Sequence, residues 1–292
     1  MANTLTYPEI WATSLQERLD GPATWKEICE VIYSDARVFN IPYMSTEYTL
    51  QSGTRGTAYS HSDFTLTNDT LTISSTDIVS VFMDRADVAQ NNVVRASEHG
   101  ARQGQVIVER VEDLFLAQHA GWTNFGDNGA GGFGLASALI TISQSNIDDV
   151  IRAVKREVIK AKGSFLMRKH GLAFVWRPED FEKLEASIQS QGFNLADDSL
   201  KKGVMMEVGY FWLGAYHYVS ESHTANHVFA GVRQIQQIGL LSSTWGKINF
   251  NPNAVNADGP LSGVSYEARL DYGFNPKAGL TTILFDVNVA TP

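Results

Sequence analysis

The chain has a single cysteine, Cys29, in 292 residues, so no disulfide can form within it and no zinc-type cysteine spacing exists. Cys29 neighbours Ile28, Val31 and Ile32 and reads as a small core hydrophobe. Long apolar runs are missing as well. No stretch approaches the roughly 18 residues that a membrane helix needs. The opening MANTLTYPEIWATSLQERL has no basic region followed by an apolar run, so it is no signal peptide. Positive charge is scarce: 23 Lys and Arg face 32 Asp and Glu, a formal net charge of −9. That balance argues against binding nucleic acid by neutralising its phosphates, but not against enclosing it. With 43% hydrophobic and 19% charged residues the chain should fold, as one large domain or two modest ones.

Catalytic signatures are absent too. Neither G-x-S-x-G, H-E-x-x-H nor G-x-x-x-x-G-K-[ST] occurs. His217, His223 and His227 are spaced plausibly for metal ligands, but they fall in a strand-to-loop region with no evident acidic partner, so no metal site is expected. Residues 129–134 match G-x-G-x-x-G by letter. A dinucleotide site requires a strand before that motif and a helix after it. Here a long helix precedes and the strand-like LASALITIS follows, so a mobile loop is expected. Asp148/Asp149 and Asp197/Asp198 suit helix starts and loops better than acid–base work. No catalytic residue and no cofactor is expected.

What is present is led by residues 84–119, which read as one uninterrupted helix. Val93/Val94, Gly100/Ala101, Ile107/Val108 and Leu114/Phe115 recur seven apart, with Ala96, Gly104 and Val111 between them. Glu98, Arg102, Gln105, Glu109 and Glu112 mark the wet face. Asp84 or Asp87 would cap the start. The N-terminal half of the seam is Ala and Gly, unlike a coiled coil. Its small residues would let a sheet or another chain approach at Gly100 and Gly104.

Upstream, Tyr7, Pro8, Ile10, Trp11 and Leu15 give a short amphipathic segment that Gly21-Pro22 breaks. A second short helix is expected from Trp25 to about Tyr33. Residues 45–80 contain 16 Ser and Thr among 36, with alternation at Tyr48/Leu50, Phe64/Leu66 and Leu71/Ile73. Turn signals at Ser52-Gly53, Gly56 and Asn68-Asp69 make this a β-excursion without a core of its own. Downstream, residues 145–162 form a helix with Ile147, Ile151, Val154 and Val158 buried. Residues 172–176 form a buried strand, and Pro178 starts another helix. Aromatics crowd residues 204–218. Strand-like runs follow at 227–231 and 235–250, then a polar loop at 251–260. Residues 266–272 alternate, with Glu267, Arg269 and Asp271 on one side. The last strand is expected at 279–289.

This order of parts, with the texture of DRADVAQNNVVRASEHGARQGQVIVERVEDLFLAQ and HVFAG…ARLDYGFNPKAGLTTILFDV, resembles the major capsid proteins of tailed double-stranded DNA phages, the Hong Kong 97 phage fold. The resemblance implies an α+β fold. Residues 1–44 would be the N-arm, 45–83 the E-loop and 84–119 the spine helix of the P-domain. Residues 120–228 would be the A-domain, 229–276 the P-domain strands and 277–292 the A-domain return strand. It further implies a structural protein that assembles with itself, as pentamers and hexamers, into an icosahedral shell around the genome, located in the virion and assembled in the host cytoplasm. The DNA would be held without sequence-specific binding, and no membrane partner is implied. A separate scaffolding protein is expected because the chain begins almost at the arm. A portal and a decoration protein are further partners the resemblance implies. Trp11, Tyr48, Arg55, Tyr59, Phe64, Gly100 and Gly104 are the expected inter-subunit contacts. Some members of this family weld subunits through a lysine on the E-loop. Residues 45–80 contain no lysine, and Arg55 is no nucleophile, so that weld is not expected here. The alternatives are an encapsulin-type nanocompartment shell and, remotely, a nucleotide-dependent enzyme using residues 129–134.

Overall fold

A fifteen-residue strand near the C-terminus, β13 in chain order (Ser262–Pro276), organises one half of the protein. The computed structural model describes residues 7–44, 53, 55–56, 66–84, 93–129, 132–190, 210–255 and 262–290. One edge of β13 pairs over ten residues with β4 (Ser75–Asp84), antiparallel, from Gly263 opposite Asp84 to Tyr272 opposite Ser75. Its other edge is shared by β12 (Ile248–Val255) and β11 (Gln236–Leu241), and β11 pairs in parallel with β1 (Glu30–Ser34). The result is a five-stranded sheet.

A second sheet of seven strands carries most of the buried core. Its order is β6 (Phe133–Gly134), β5 (Thr123–Asp127), β14 (Leu284–Asn288), β10 (His227–Val232), β7 (Leu172–Trp176), β9 (Ala215–Val219) and β8 (Tyr210–Trp212). β7 is buried along its whole length, so its apolar residues follow one another without alternation, as burial on both faces requires. A third, two-stranded ribbon joins β2 (Val38–Met44) to β3 (Leu66–Thr72).

The helices follow the sequence where their periodicity is strong. Helix α4 (Ile147–Lys160) buries Ile147, Ile151, Val154 and Val158, the expected stripe. It is followed by α5 (Ser164–His170) and, after β7, by α6 (Pro178–Ser190), which starts at its proline as expected. The described part of the long helix, α3, runs over Val93–Leu116 and passes into a 3-10 turn, Ala117–Gly121, three residues before the expected end. These 24 residues span about 36 Å. Asp84, expected at the start of the helix, is the last residue of β4, because the run IVSVFMD offers β-branched and aromatic side chains to a ladder that satisfies its backbone. Asp87 and the stretch around it lie outside the described residues.

Four further expectations are corrected. The helix expected from Trp25 to Tyr33 stops at Ile28 (α2, Thr24–Ile28), and Glu30–Ser34 pair as β1 with β11. Five of the residues expected as a polar loop, 251–255, continue β12 across an irregularity between Asn251 and Ala254. The LASALITIS stretch forms only isolated bridges, Asp127 with Ala138 and Ile140 with Val289. Asn68-Asp69 is no turn either: it lies inside β3, where Asp69 accepts hydrogen bonds from Asn275 Nδ2 (2.8 Å) and from the backbone N–H of Ala278 (3.1 Å).

The N-terminal helix α1 (Tyr7–Asp20) lies against α3. Trp11 is fully buried, stacked on Tyr266 of β13 at 4.1 Å and 4°, with His99 on its other side at 5.2 Å. Its Nε1 donates to Gln103 Oε1 at 2.7 Å, and Gln103 Nε2 donates to the carbonyls of Tyr266 (3.1 Å) and Val79 (3.3 Å). A Cβ at Gly100 would collide with the Trp11 carbonyl, and one at Gly104 would sit 2.9 Å from Arg18 Cβ and 3.0 Å from the Leu15 carbonyl. The two glycines therefore admit α1. Ala is the better helix former by about 1 kcal/mol, yet Gly100→Ala should lose about 1–3 kcal/mol net, because the obstacle is the Trp11 backbone. Gly104→Ala should lose less, and Gly104→Leu more than Gly104→Ala. Urea midpoints of the three variants check the order; a stabilised Gly100→Ala would refute the packing.

Candidate assembly surfaces

Contacts that build a shell must come from surface the chain does not cover itself. Trp11, Gly100 and Gly104 do not meet that condition. They meet each other between two helices of one chain, and Trp11 has no exposed side chain left to offer a neighbour. The sequence reading identified the close approach at the glycines, but α1 of the same chain makes it. Tyr48, Tyr59 and Phe64 lie outside the described residues. Arg55 is exposed in a turn beside Gly56, whose φ is +89°.

The β2–β3 ribbon belongs to neither large sheet. Its root is anchored: Leu71 and Ile73 are buried against Gly239 of β11, and Asp69 ties it to the end of β13. At that root Val38 and Phe39, opposite Thr72 and Leu71, expose apolar surface, and farther out Leu66, opposite Met44, is 62% accessible. Other uncovered apolar side chains are Phe165 on α5 (74%), Val255 at the end of β12 (70%) and Ile78 on β4 (59%). Between ribbon and sheet, Asp271 is buried and its Oδ1 accepts a hydrogen bond from Arg269 Nη2 at 2.8 Å and a short one from Thr76, with Arg269 Nε in an ion pair 2.7 Å from Oδ2 and Arg37 at 3.6 Å. Burial pushes its carboxyl up, but the hydrogen bonds from Arg269 and Thr76 outweigh that and hold it below the usual range. Arg269 and Asp271 are thus in contact, in keeping with the one side expected for them, and Asp271 is buried there.

The three histidines of the sequence reading separate. His217 is buried in the seven-stranded sheet. Trp176 Nε1 donates to its Nδ1 at 3.0 Å, so its proton sits on Nε2 and is donated to the Trp212 carbonyl at 3.1 Å. Burial lowers its pKa to about 4. His223 is likewise lowered to about 4, by burial and then by Arg177. Neither approaches a metal-binding group among the described residues. His227 does have an acidic partner, contrary to expectation: Asp286 Oδ2 lies 2.8 Å from its Nδ1, and His119 stacks on its ring. No spacing could have paired residues 119, 227 and 286. They meet because β10 and β14 are neighbours and the 3-10 turn passes beside them. Residues 129–134 are preceded by β5 rather than directly by the helix, their last two residues form β6, and the next helix begins only at Ile147. Residues 130–131 lie outside the described residues.

No family model matches the chain, and no curated protein matches it in sequence. Solved structures do. The mature capsid of bacteriophage PhiM1 matches at a TM-score of 0.59 with 13% identity, covering 93% of this chain and 88% of that one. The capsid of Ralstonia phage GP4 matches at 0.60 with 9% identity, covering 90% and 87%. This is the Hong Kong 97 capsid fold. A virus-like particle from Pyrococcus furiosus matches at 0.57 with 11% identity, covering 97% of this chain and all of that one (100%). Helices and strands are combined as the α+β expectation has it, and the likeness runs over nearly the whole chain.

The two buried neutral histidines have a measurable consequence. Their pKa values fall from an ordinary 6.5 to about 4, so between those pH values the unfolded chain binds protons that the native chain refuses. Stability is full above pH 6.5 and is lost as pH falls towards 4, on the order of 3 kcal/mol for each group. His217→Phe should be less stable at pH 7, having lost two hydrogen bonds, but its stability should fall less between pH 7 and 4.5. Denaturant midpoints at the two pH values measure this; parallel losses in variant and parent would contradict it.

Proposed function

We propose that this chain is the major capsid protein of a tailed double-stranded DNA phage, assembling with itself as pentamers and hexamers into an icosahedral shell. The observation that carries the reading is the likeness in fold, over nine-tenths of the chain, to proteins whose structures are phage capsids. A protruding ribbon that leaves Val38, Phe39 and Leu66 uncovered supports it, since such surface wants a neighbour. In this reading residues 1–44 act as the N-arm. Residues 45–83, which take in β3 and most of β4, act as the E-loop, and β2 of the arm pairs with it. α3 is the spine helix, and the seven-stranded sheet is the A-domain. Tyr48, Arg55, Tyr59 and Phe64 then contact adjacent subunits.

Its work is structural, not enzymatic. A net charge of −9 suits a shell that surrounds DNA without gripping it. A scaffolding protein, a portal and a decoration protein are its proposed partners, the virion its location and the host cytoplasm its place of assembly. The second reading, a nanocompartment shell, is favoured by one observation, the likeness to the Pyrococcus furiosus particle.

Negative-stain images of the purified, expressed chain should show closed shells; monodisperse monomers at high concentration would overturn both readings. Nuclease-protected double-stranded DNA in particles from the native source would favour the phage reading, and a protein cargo the nanocompartment. Deleting residues 52–70 should leave a folded subunit that no longer closes shells. Without a lysine in residues 45–80, particles boiled in detergent and reductant should run as single chains of 32.2 kDa. A ladder of multiples would disprove non-covalent cohesion.

A further inference from the structure

Asp286 sits in the middle of the seven-stranded sheet with its carboxylate buried. Two imidazoles face it. His227 Nδ1 lies 2.8 Å from Oδ2 and 3.0 Å from Oδ1, and His119 Nδ1 lies 3.6 Å from Oδ2. The rings are stacked, with centroids 3.8 Å apart and planes 21° from parallel. Both are half-buried, so the group is reachable from solvent.

One histidine accounts for the carboxylate as a hydrogen-bonded ion pair. The second is not accounted for in that way: 3.6 Å is beyond hydrogen-bond length, and a second imidazolium stacked on the first would be repelled by it. Burial pushes the Asp286 carboxyl up and the two histidines oppose it, as a cation at the same place would do more strongly. Two nitrogens and one carboxylate oxygen, all within 4.8 Å of one another, are the donors that zinc and its neighbours in the first transition row prefer.

We propose that His119, His227 and Asp286 form a binding site for one divalent transition-metal ion, with zinc the best match. Ligands at about 2.0–2.2 Å from a tetrahedral ion lie about 3.3–3.6 Å apart; the separations seen fall on both sides of that range, 2.8 Å and 3.6 Å from the two Nδ1 atoms to the carboxylate and within 4.8 Å for the whole set. Binding requires the rings to splay from their stack so that the two Nδ1 lone pairs converge. The ion takes the place of the proton between His227 Nδ1 and Asp286, and that ring keeps its proton on Nε2. Three protein ligands leave a fourth position for water. Two ligands stand on neighbouring strands, β10 and β14, and the third on the turn that ends α3, so the ion would clip the end of the long helix to the sheet. The inference does not depend on whether the chain closes shells.

The test uses the full chain without a histidine tag, stripped with a chelator and titrated with Zn²⁺ by calorimetry and with Co²⁺ by visible absorption. The expected result is one ion per chain, the d–d bands of a low-symmetry tetrahedral cobalt site, and a melting temperature raised by zinc and lowered again by chelator. His119→Ala and Asp286→Asn should each weaken binding more than about 100-fold, since even outer-shell partners are worth about 10–100-fold. Asp286→Asn keeps the size of the side chain, which guards against a variant that merely fails to fold. His170→Ala, on α5, should bind as the parent does. No saturable binding, or binding that survives loss of His119, would overturn the site.

Discussion

Everything on one side of the protein depends on Gln103. It is a buried polar side chain on a helix face otherwise lined by glycine and aliphatic residues, and it satisfies itself completely. Its carbonyl oxygen takes the Trp11 indole N–H, and its amide reaches the carbonyls of Tyr266 and Val79. One side chain thereby fixes α1, α3, β13 and β4 against each other. An apolar residue of the same size could fill the volume but would take this partner from the buried Trp11 indole N–H, at about 1–3 kcal/mol if it is left unpaired. Gly100, Gly104 and Gln103 solve a single problem. The glycines set how near the N-terminal helix can come, and the amide sets where along α3 it stops.

What local pattern could reveal, the sequence revealed. The stripe of α4, the buried run of β7 and the proline start of α6 each depend on residues within a dozen positions of one another. The layout of parts also led correctly to the fold. The failures share a cause. Asp84 is expected to start the long helix, but it is the last residue of a strand whose partner is nearly two hundred residues away, and that pairing decides its conformation. β1 and the end of β12 were lost in the same way, each to a ladder invisible in its own neighbourhood. Gln103 was passed over because a single glutamine in an apolar stripe has no local meaning. Its three partners come from three other elements.

The assembly surfaces were less legible still. Aromatic content drew attention to Trp11, yet a large aromatic in a thin N-terminal segment is consistent with docking on its own chain or on a neighbour, and only the structure separates the two. Apolar side chains that do remain uncovered, such as Phe165, Val255, Leu66 and Ile78, lie far apart in sequence. The histidines tell a similar story. Spacing grouped 217, 223 and 227, whereas the sheet grouped 227 with 286 and 119.

The long central strand has a mechanical consequence. β13 and β4 are joined antiparallel by ten successive residue pairs without an irregularity, and β13 continues past them to hold β11. A pull along the strand axis loads those hydrogen bonds together in shear, whereas a pull across it opens them one after another like a zip. Tension in the plane of the five-stranded sheet therefore meets its stiffest direction along β13. On the other edge, the irregularity between Asn251 and Ala254 of β12 is the compliant point, where the same sheet gives first.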